Sequence, residues 1–239
     1  MSTFKLTIEY DGADFFGWQV QPDRRTVQGE LYAALERITG NRGTIVGAGR
    51  TDAGVHAVGQ VASVRSDTAL SPAVLRRAMN AVLPFDVRVR RCEEAAPAFN
   101  ARFDAKRREY HYIFIRRQTA LWRNYYYAVT GALDTSGMRR SLAGLIGEKD
   151  FAAFASVEEL ATTRCNMMKA ELIESPPLVV LSLTADHFLH HMVRAIAGTM
   201  LMIGRGKPLS IEAIIAARDR TKAGPTLPPH ALYLMSVVY

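Results

Sequence analysis

"FKLTIEY", residues 4–10, alternates Phe4, Leu6, Ile8 and Tyr10 with Lys5, Thr7 and Glu9, and the order of elements that it opens restricts the fold more than any other feature. A period of two is that of a half-buried strand. "TVQGELYAALERITG" puts Leu31, Leu35 and Ile38 at helical spacing, with Gly40 placed to stop the helix. "TIVGAGRTDAG" reads as a strand running into a loop, and "VGQVASVRS" as another strand. "SPAVLRRAMNAVLP" has Ser71 as N-cap, Pro72 at the first helical position and Pro84 beyond the end. "DVRVRRC" is a strand with Val87 and Val89 on one face and Arg88 and Arg90 on the other. Strand, helix, strand, strand, helix, strand is the split βαβ order of ferredoxin-like domains. It makes an antiparallel sheet with helices on one face and leaves the other face open to a large ligand.

The second half varies the same theme. "EYHYIFIRR" alternates as a strand, and "DTSGMRRSLAGLIGE" is a helix opening on an Asp/Thr/Ser capping region. "KAELIE" and "LVVLSLTAD" read as strands. "HFLHHMVRAIAGTMLMIGRG" is helical by the spacing of Leu189, Val193, Ile196 and Met200; "SIEAIIAARDR" is a further helix and "HALYLMSVVY" a last strand. Periodicity lapses and charge rises around "PAFNARFDAKRRE". The expectation is an α+β protein of two domains, 1–104 and 105–239. A length of 239 residues with 49% hydrophobic residues allows a sizeable core.

Several function classes drop out. No stretch approaches the roughly 18 consecutive apolar residues of a membrane span, and "MSTFKLTIEYDG" lacks the charged and apolar regions of a signal peptide. The two cysteines, Cys92 and Cys165, are far apart, which argues against a disulfide framework or a thiolate zinc site and for a reducing, cytoplasmic setting. Thirty Lys and Arg against 23 Asp and Glu leave a net charge of +7. Such a surface suits a polyanion such as nucleic acid.

The stretch richest in chemistry is "VGAGRTDAGVHAVGQVAS", residues 46–63. It is not a phosphate loop. A dinucleotide fingerprint needs G-x-G-x-x-G, and Gly47, Gly49 and Asp52 occupy those places. A Walker loop needs a lysine and a hydroxyl after its last glycine, whereas Val55 and His56 follow Gly54. A carboxylate aimed into a phosphate nest would also be repelled. An isolated Asp-x-Gly is ordinarily a turn. Here three glycines leave backbone space for a ligand, and Arg50 offers a fork-shaped cation to a phosphate or a base.

"GRTDAGVHA" resembles the catalytic signature of the tRNA pseudouridine synthase A family. "YDGADFFGWQ", "TVQGELYAAL", "ARFDAKRREYHY" and "HFLHHMVRAIAG" resemble further blocks of that family in the family's order, so the likeness spans almost the whole chain. The resemblance implies two ferredoxin-like halves around a central mixed, mostly antiparallel sheet. It implies a homodimer that works without metal or organic cofactor on the tRNA anticodon arm. The expected products are pseudouridines at positions thirty-eight to forty. A non-catalytic RNA-binding protein on the same scaffold is the alternative.

Pseudouridine formation breaks a glycosidic bond and remakes it to carbon. That requires the target base to leave the stack and one ionised carboxylate beside the anomeric carbon. The resemblance assigns the carboxylate to Asp52, acting as nucleophile or as base, and the cation that keeps it ionised to Arg194. Helical spacing would set His191, His190 and His187 in a stripe behind Arg194, but no acid completes an H-E-x-x-H metal motif. Tyr110 shares a strand face with Tyr112 and Phe114, as a core residue would; the resemblance puts it against the flipped uracil. Arg50 is expected to contact the flipped nucleotide or to fill the space it vacates. Arginines at 24–25, 76–77, 88, 90 and 107–108 are candidates for phosphate contacts.

Overall fold

Strand β1, Ser2–Tyr10, buries Phe4, Leu6, Ile8 and Tyr10 in a computed structural model of the chain, as the alternation requires. The structure describes residues 1–156 and 162–239. They divide into two compact units, Met1–Lys106 with Tyr233–Tyr239, and Arg107–Leu232.

In the first unit, helix α1 (Val27–Thr39) begins where the Thr26 hydroxyl accepts the Gly29 N–H and ends at Gly40 in the left-handed conformation. Strands β2 (Thr44–Gly47) and β3 (His56–Ser66) form an antiparallel pair joined by residues 48–55. Helix α2 (Pro72–Val82) buries Leu75 and Met79 and leads into β4 (Val87–Glu94). β1 lies between β3 and β4, antiparallel to both. The sheet therefore runs β4–β1–β3–β2, the order that the split βαβ reading requires.

The second unit opens with β5 (Arg107–Ile115) and the two-residue β6 (Tyr127–Ala128), parallel to it. Helix α3 (Thr135–Ser141), capped by Asp134, passes into a single 3₁₀ turn, Leu142–Leu145. Strands β7 (Gly147–Asp150), β8 (Arg164–Ser175) and β9 (Leu178–Ala185) follow. They give the antiparallel order β5–β9–β8–β7. Helices α4 (Met192–Gly204) and α5 (Ile211–Ala217) complete the unit. Strand β10, Leu232–Val238, pairs through Tyr233 and Leu234 with His56 and Ala57 of β3, in parallel. β2 and β10 thus share one edge of β3: β2 holds residues 62–65 and β10 holds residues 56 and 57. The class is α+β, as expected. Among the described residues no helix is long and apolar enough to cross a membrane.

Ser71 is the N-cap of α2, as expected, with Pro72 in the first turn. Ser71 has the extended backbone of an N-cap, but its side chain makes no capping hydrogen bond. Asp134 does cap, accepting the Gly137 N–H at 2.9 Å. Asp134→Ala should therefore cost about 1 kcal/mol in urea unfolding, while Ser71→Ala stays within about 0.5 kcal/mol of the parent. Equal losses would show that the Ser71 hydroxyl caps its helix in solution.

Candidate active site

Loop 48–55 leaves β3's edge where β2 ends and returns where β10 takes that edge. Nearly every residue of it is tied down. The Ala48 N–H donates to Val61 C=O at 2.7 Å. Gln60, fully buried, donates through Nε2 to Gly49 C=O at 2.9 Å. Thr51 is held twice: its C=O accepts the Trp18 N–H at 3.1 Å, and its hydroxyl lies 2.7 Å from that of Tyr10. Burial pushes the Tyr10 phenol up to about 12, so it stays protonated at neutral pH. The Gly54 N–H donates to Phe15 C=O at 3.2 Å.

The turn itself is closed by main chain. The Val55 N–H donates to Asp52 C=O at 3.2 Å, and Gly54, with φ +78°, takes the left-handed place before Val55. A turn closed in this way needs no carboxylate, so turn formation does not by itself account for an aspartate here. Asp52 is half-buried and Arg50 exposed, while Thr51 between them is buried. The loop thus hides its middle residue and presents its two charged neighbours.

Residues 10–19 form the other wall, and α1 holds them. The first helical N–H groups have no partner inside a helix. Here those of Val27 and Gln28 donate to Gly17 C=O at 3.2 Å and Trp18 C=O at 3.0 Å. The Trp18 ring is buried, and a Cβ on Gly47 would lie 2.5 Å from it. The backbone space at Gly47 is therefore filled by indole and does not serve a ligand, contrary to the sequence expectation. Gly17, with φ +83°, packs against the loop so closely that a Cβ would sit 2.5 Å from Thr51 C=O. His56 is a buried scaffold residue and the first of β3, outside the loop. Its Nδ1 is 3.0 Å from the Gly12 N–H donor and 3.0 Å from Asp11 Oδ1, and its ring stacks on Tyr233 at 4.8 Å.

Tyr110 and Arg194 belong to the second unit. Tyr110, in β5 opposite Leu183, is 8% exposed and meets Phe188 edge-on at 5.1 Å. Tyr112 and Phe114 share its buried face, and the Tyr112 hydroxyl donates to Pro228 C=O at 2.9 Å. Burial raises the Tyr112 phenol well above its ordinary range. Arg194 is the third residue of α4, a place where the helix dipole disfavours a cation. Its guanidinium Nε donates to Leu227 C=O at 2.7 Å and its own C=O accepts the Leu227 N–H at 3.3 Å, so the side chain is oriented by a reciprocal pair.

The histidine stripe does not form. α4 begins at Met192, and His191 has φ +64°, which ends any helical register before it. His191 Nδ1 is 2.7 Å from the Ser156 hydroxyl, and the His190 and His191 rings lie 3.7 Å apart. His187 stands between Cys165 Sγ, at 3.4 Å from Nε2, and Asp186 Oδ1, at 3.1 Å from Nδ1. That Cys–His–Asp set is not a nucleophilic one. Burial, together with Asp186 and Asp150, pushes the Cys165 thiol up to about 12, and burial pushes Cys92 to about 11. At pH 8 the folded protein should react with an aromatic disulfide reagent many times more slowly than the unfolded chain. A fast native phase would contradict the thiol assignment.

The arginines differ in what holds them. Arg25 is committed to a fork on Asp86, with bonds of 2.7 and 2.9 Å, and to Glu30 at 2.8 Å. Arg90 pairs with Glu9, and Arg88 donates to Pro84 and Val87 carbonyls. Arg24, exposed, lies over the Phe16 ring at 4.5 Å.

A family model described as tRNA pseudouridine synthase matches residues 6–104 and 142–239. The matched stretches include Arg50, Asp52 and Arg194; Tyr110 falls between them. Proteins named tRNA pseudouridine synthase A are similar over the whole chain. The one from Caldicellulosiruptor bescii is 41% identical, covering 100% of both chains. That from Moorella thermoacetica is 42% identical with the same coverage, and that from Exiguobacterium sibiricum 39% over 100% of this chain and 97% of its own. A solved structure titled "Crystal Structure of a Cbf5-Nop10-Gar1 Complex" is 11% identical with a TM-score of 0.34, covering 96% of this chain and 57% of that one, a likeness too slight to argue from.

Proposed function

The chain belongs to the tRNA pseudouridine synthase A family, and on that footing we propose that it isomerises uridines thirty-eight to forty of the tRNA anticodon arm through Asp52. It is an isomerase of tRNA. In the proposed reaction the target nucleotide is flipped from the stack, which costs a few kcal/mol. The N1–C1′ bond breaks, the uracil turns over, and C5 bonds to C1′. The C5 proton is lost and N1 gains one, so the product has the formula of the substrate. Asp52 attacks C1′ and is later displaced by C5, or it removes a sugar proton; both routes use the same carboxylate.

Arg194 is proposed as the cation that partners the Asp52 carboxylate in the reaction, and its guanidinium, held by Leu227, suits that task. Tyr110 is proposed to stack on the turned uracil and Arg50 to contact the flipped nucleotide. The enzyme is proposed to act as a cytoplasmic homodimer without cofactor.

The observation that carries the reading is the loop. Thr51 and Gly54 are bonded to residues 10–19 on either side of a half-buried, presented Asp52. Such preorganisation is what a reacting group requires. The test is tritium release from a tRNA transcript made with C5-tritiated uridine, with pseudouridine mapped by carbodiimide primer extension. Release with stops at the three anticodon-arm positions is expected. Tight tRNA binding with no release would leave an RNA-binding protein instead.

A further inference from the structure

We propose that residues 116–126 form a stacking platform for unpaired RNA bases, separate from the residues assigned to the reaction. The inference rests on the reading of tRNA as substrate. The loop is anchored at both ends, because β6 returns parallel to β5 with Phe114 opposite Tyr127 and Ile115 opposite Ala128. The Val129 N–H donates to Ile115 C=O at 2.8 Å and the Arg116 N–H to Pro177 C=O at 2.9 Å.

Inside the loop, the Trp122 C=O accepts the N–H groups of Tyr125 and Tyr126 at 3.0 and 3.1 Å. Arg123 Nη1 donates to Ala120 C=O at 2.9 Å. The indole rests against the rings of Tyr125, at 6.4 Å, and Tyr126, at 6.1 Å. Yet Trp122 is 46% exposed and its neighbour Leu121 82%. A large aromatic surface held on a hydrogen-bonded turn and left in water is a binding surface.

Charge selects the occupant. Arg116, Arg117 and Arg123 of the same loop are exposed, and no carboxylate occurs between Glu109 and Asp134. A second copy pairing through this same face would set these guanidinium groups against their own counterparts. RNA brings phosphates for the guanidinium groups and base faces for the ring, the combination that single-strand binders use.

The experiment is titration of an unmodified tRNA transcript into the wild-type protein, Trp122→Ala and Trp122→Phe, with solution mass measured alongside. The protein has two tryptophans, and Trp18 is 1% exposed, so RNA-dependent quenching of the accessible indole reports on Trp122. Trp122→Ala should weaken binding about 5- to 100-fold, and Trp122→Phe should restore most of it. Replacing Arg116, Arg117 and Arg123 by glutamine should lower the slope of log affinity against log salt by about one for each phosphate that the variant no longer neutralises. Wild-type affinity in Trp122→Ala would overturn the proposal, as would a lower solution mass with affinity kept, which would make the face an interface between copies. The catalytic reading fails separately: a protein that binds tRNA through Trp122 but releases no tritium would sink that reading alone.

Discussion

Asp52→Asn is expected to lower pseudouridine formation at least ~10³-fold while leaving tRNA affinity within a few-fold and thermal stability nearly unchanged. The amide keeps the size of the carboxylate but cannot serve as an anionic nucleophile or as a base. The main-chain bonds of Ala48, Gly49, Thr51, Gly54 and Val55 and of the Asp52 carbonyl stay in place on this substitution. Single-turnover mapping with enzyme in excess over transcript is the measurement, since it separates chemistry from product release. A variant within about tenfold of wild type would remove Asp52 from the reaction and return it to the role of a turn residue.

Trp18→Ala should produce the largest loss of stability, about 3–5 kcal/mol. The ring is 1% exposed, lies over Gly47 and is tilted against Tyr10 at 6.2 Å. Its removal opens a cavity beneath the start of loop 48–55, and the bonded strands on either side resist collapse into it. At about 2–4 °C per kcal/mol for a chain of this size, Tm should fall by about 6–20 °C in a calorimetric scan. Trp18→Phe should fall between the two. A shift under about 2 °C for the alanine variant would show that the loop relaxes into the space. Together the two substitutions separate stability from chemistry: one leaves the scaffold and removes the proposed reacting group, the other the reverse.

What was legible in the sequence was local. Thr26 and Gly40 bracket α1 because capping and left-handed glycine are decided within a few residues, and β1 alternates because one face is buried. What was not legible depended on distant partners. Gly47 looks like room for a ligand until Trp18, far back in the sequence, is seen to fill it. Arg24 and Arg25 are the same residue type side by side, yet only Arg25 finds Asp86. The start of α4 is not legible because His187, His190 and His191 fit a helical spacing; periodicity carries no mark of where a helix begins when the N-cap, His191, has no capping side-chain bond. β6 and β7 are too short to show a period. Gln60 did leave a trace: a glutamine among the apolar residues of "VGQVASV" signals a buried polar group, here the one holding Gly49.

The pairing of β10 with β3 has a bearing on how the molecule is made. The ribosome finishes Met1–Lys106 and then adds roughly 120 residues before the last partner of that unit exists. At about 5–20 residues per second the wait is on the order of 10 s. Throughout it, the stretch of β3 that adjoins loop 48–55 stands as an open edge, available to any passing strand. Newly made chains are therefore exposed to mispairing at the very segment that carries His56, and crowding of nascent chains, more than the stability of the finished enzyme, should govern how much of it is recovered active.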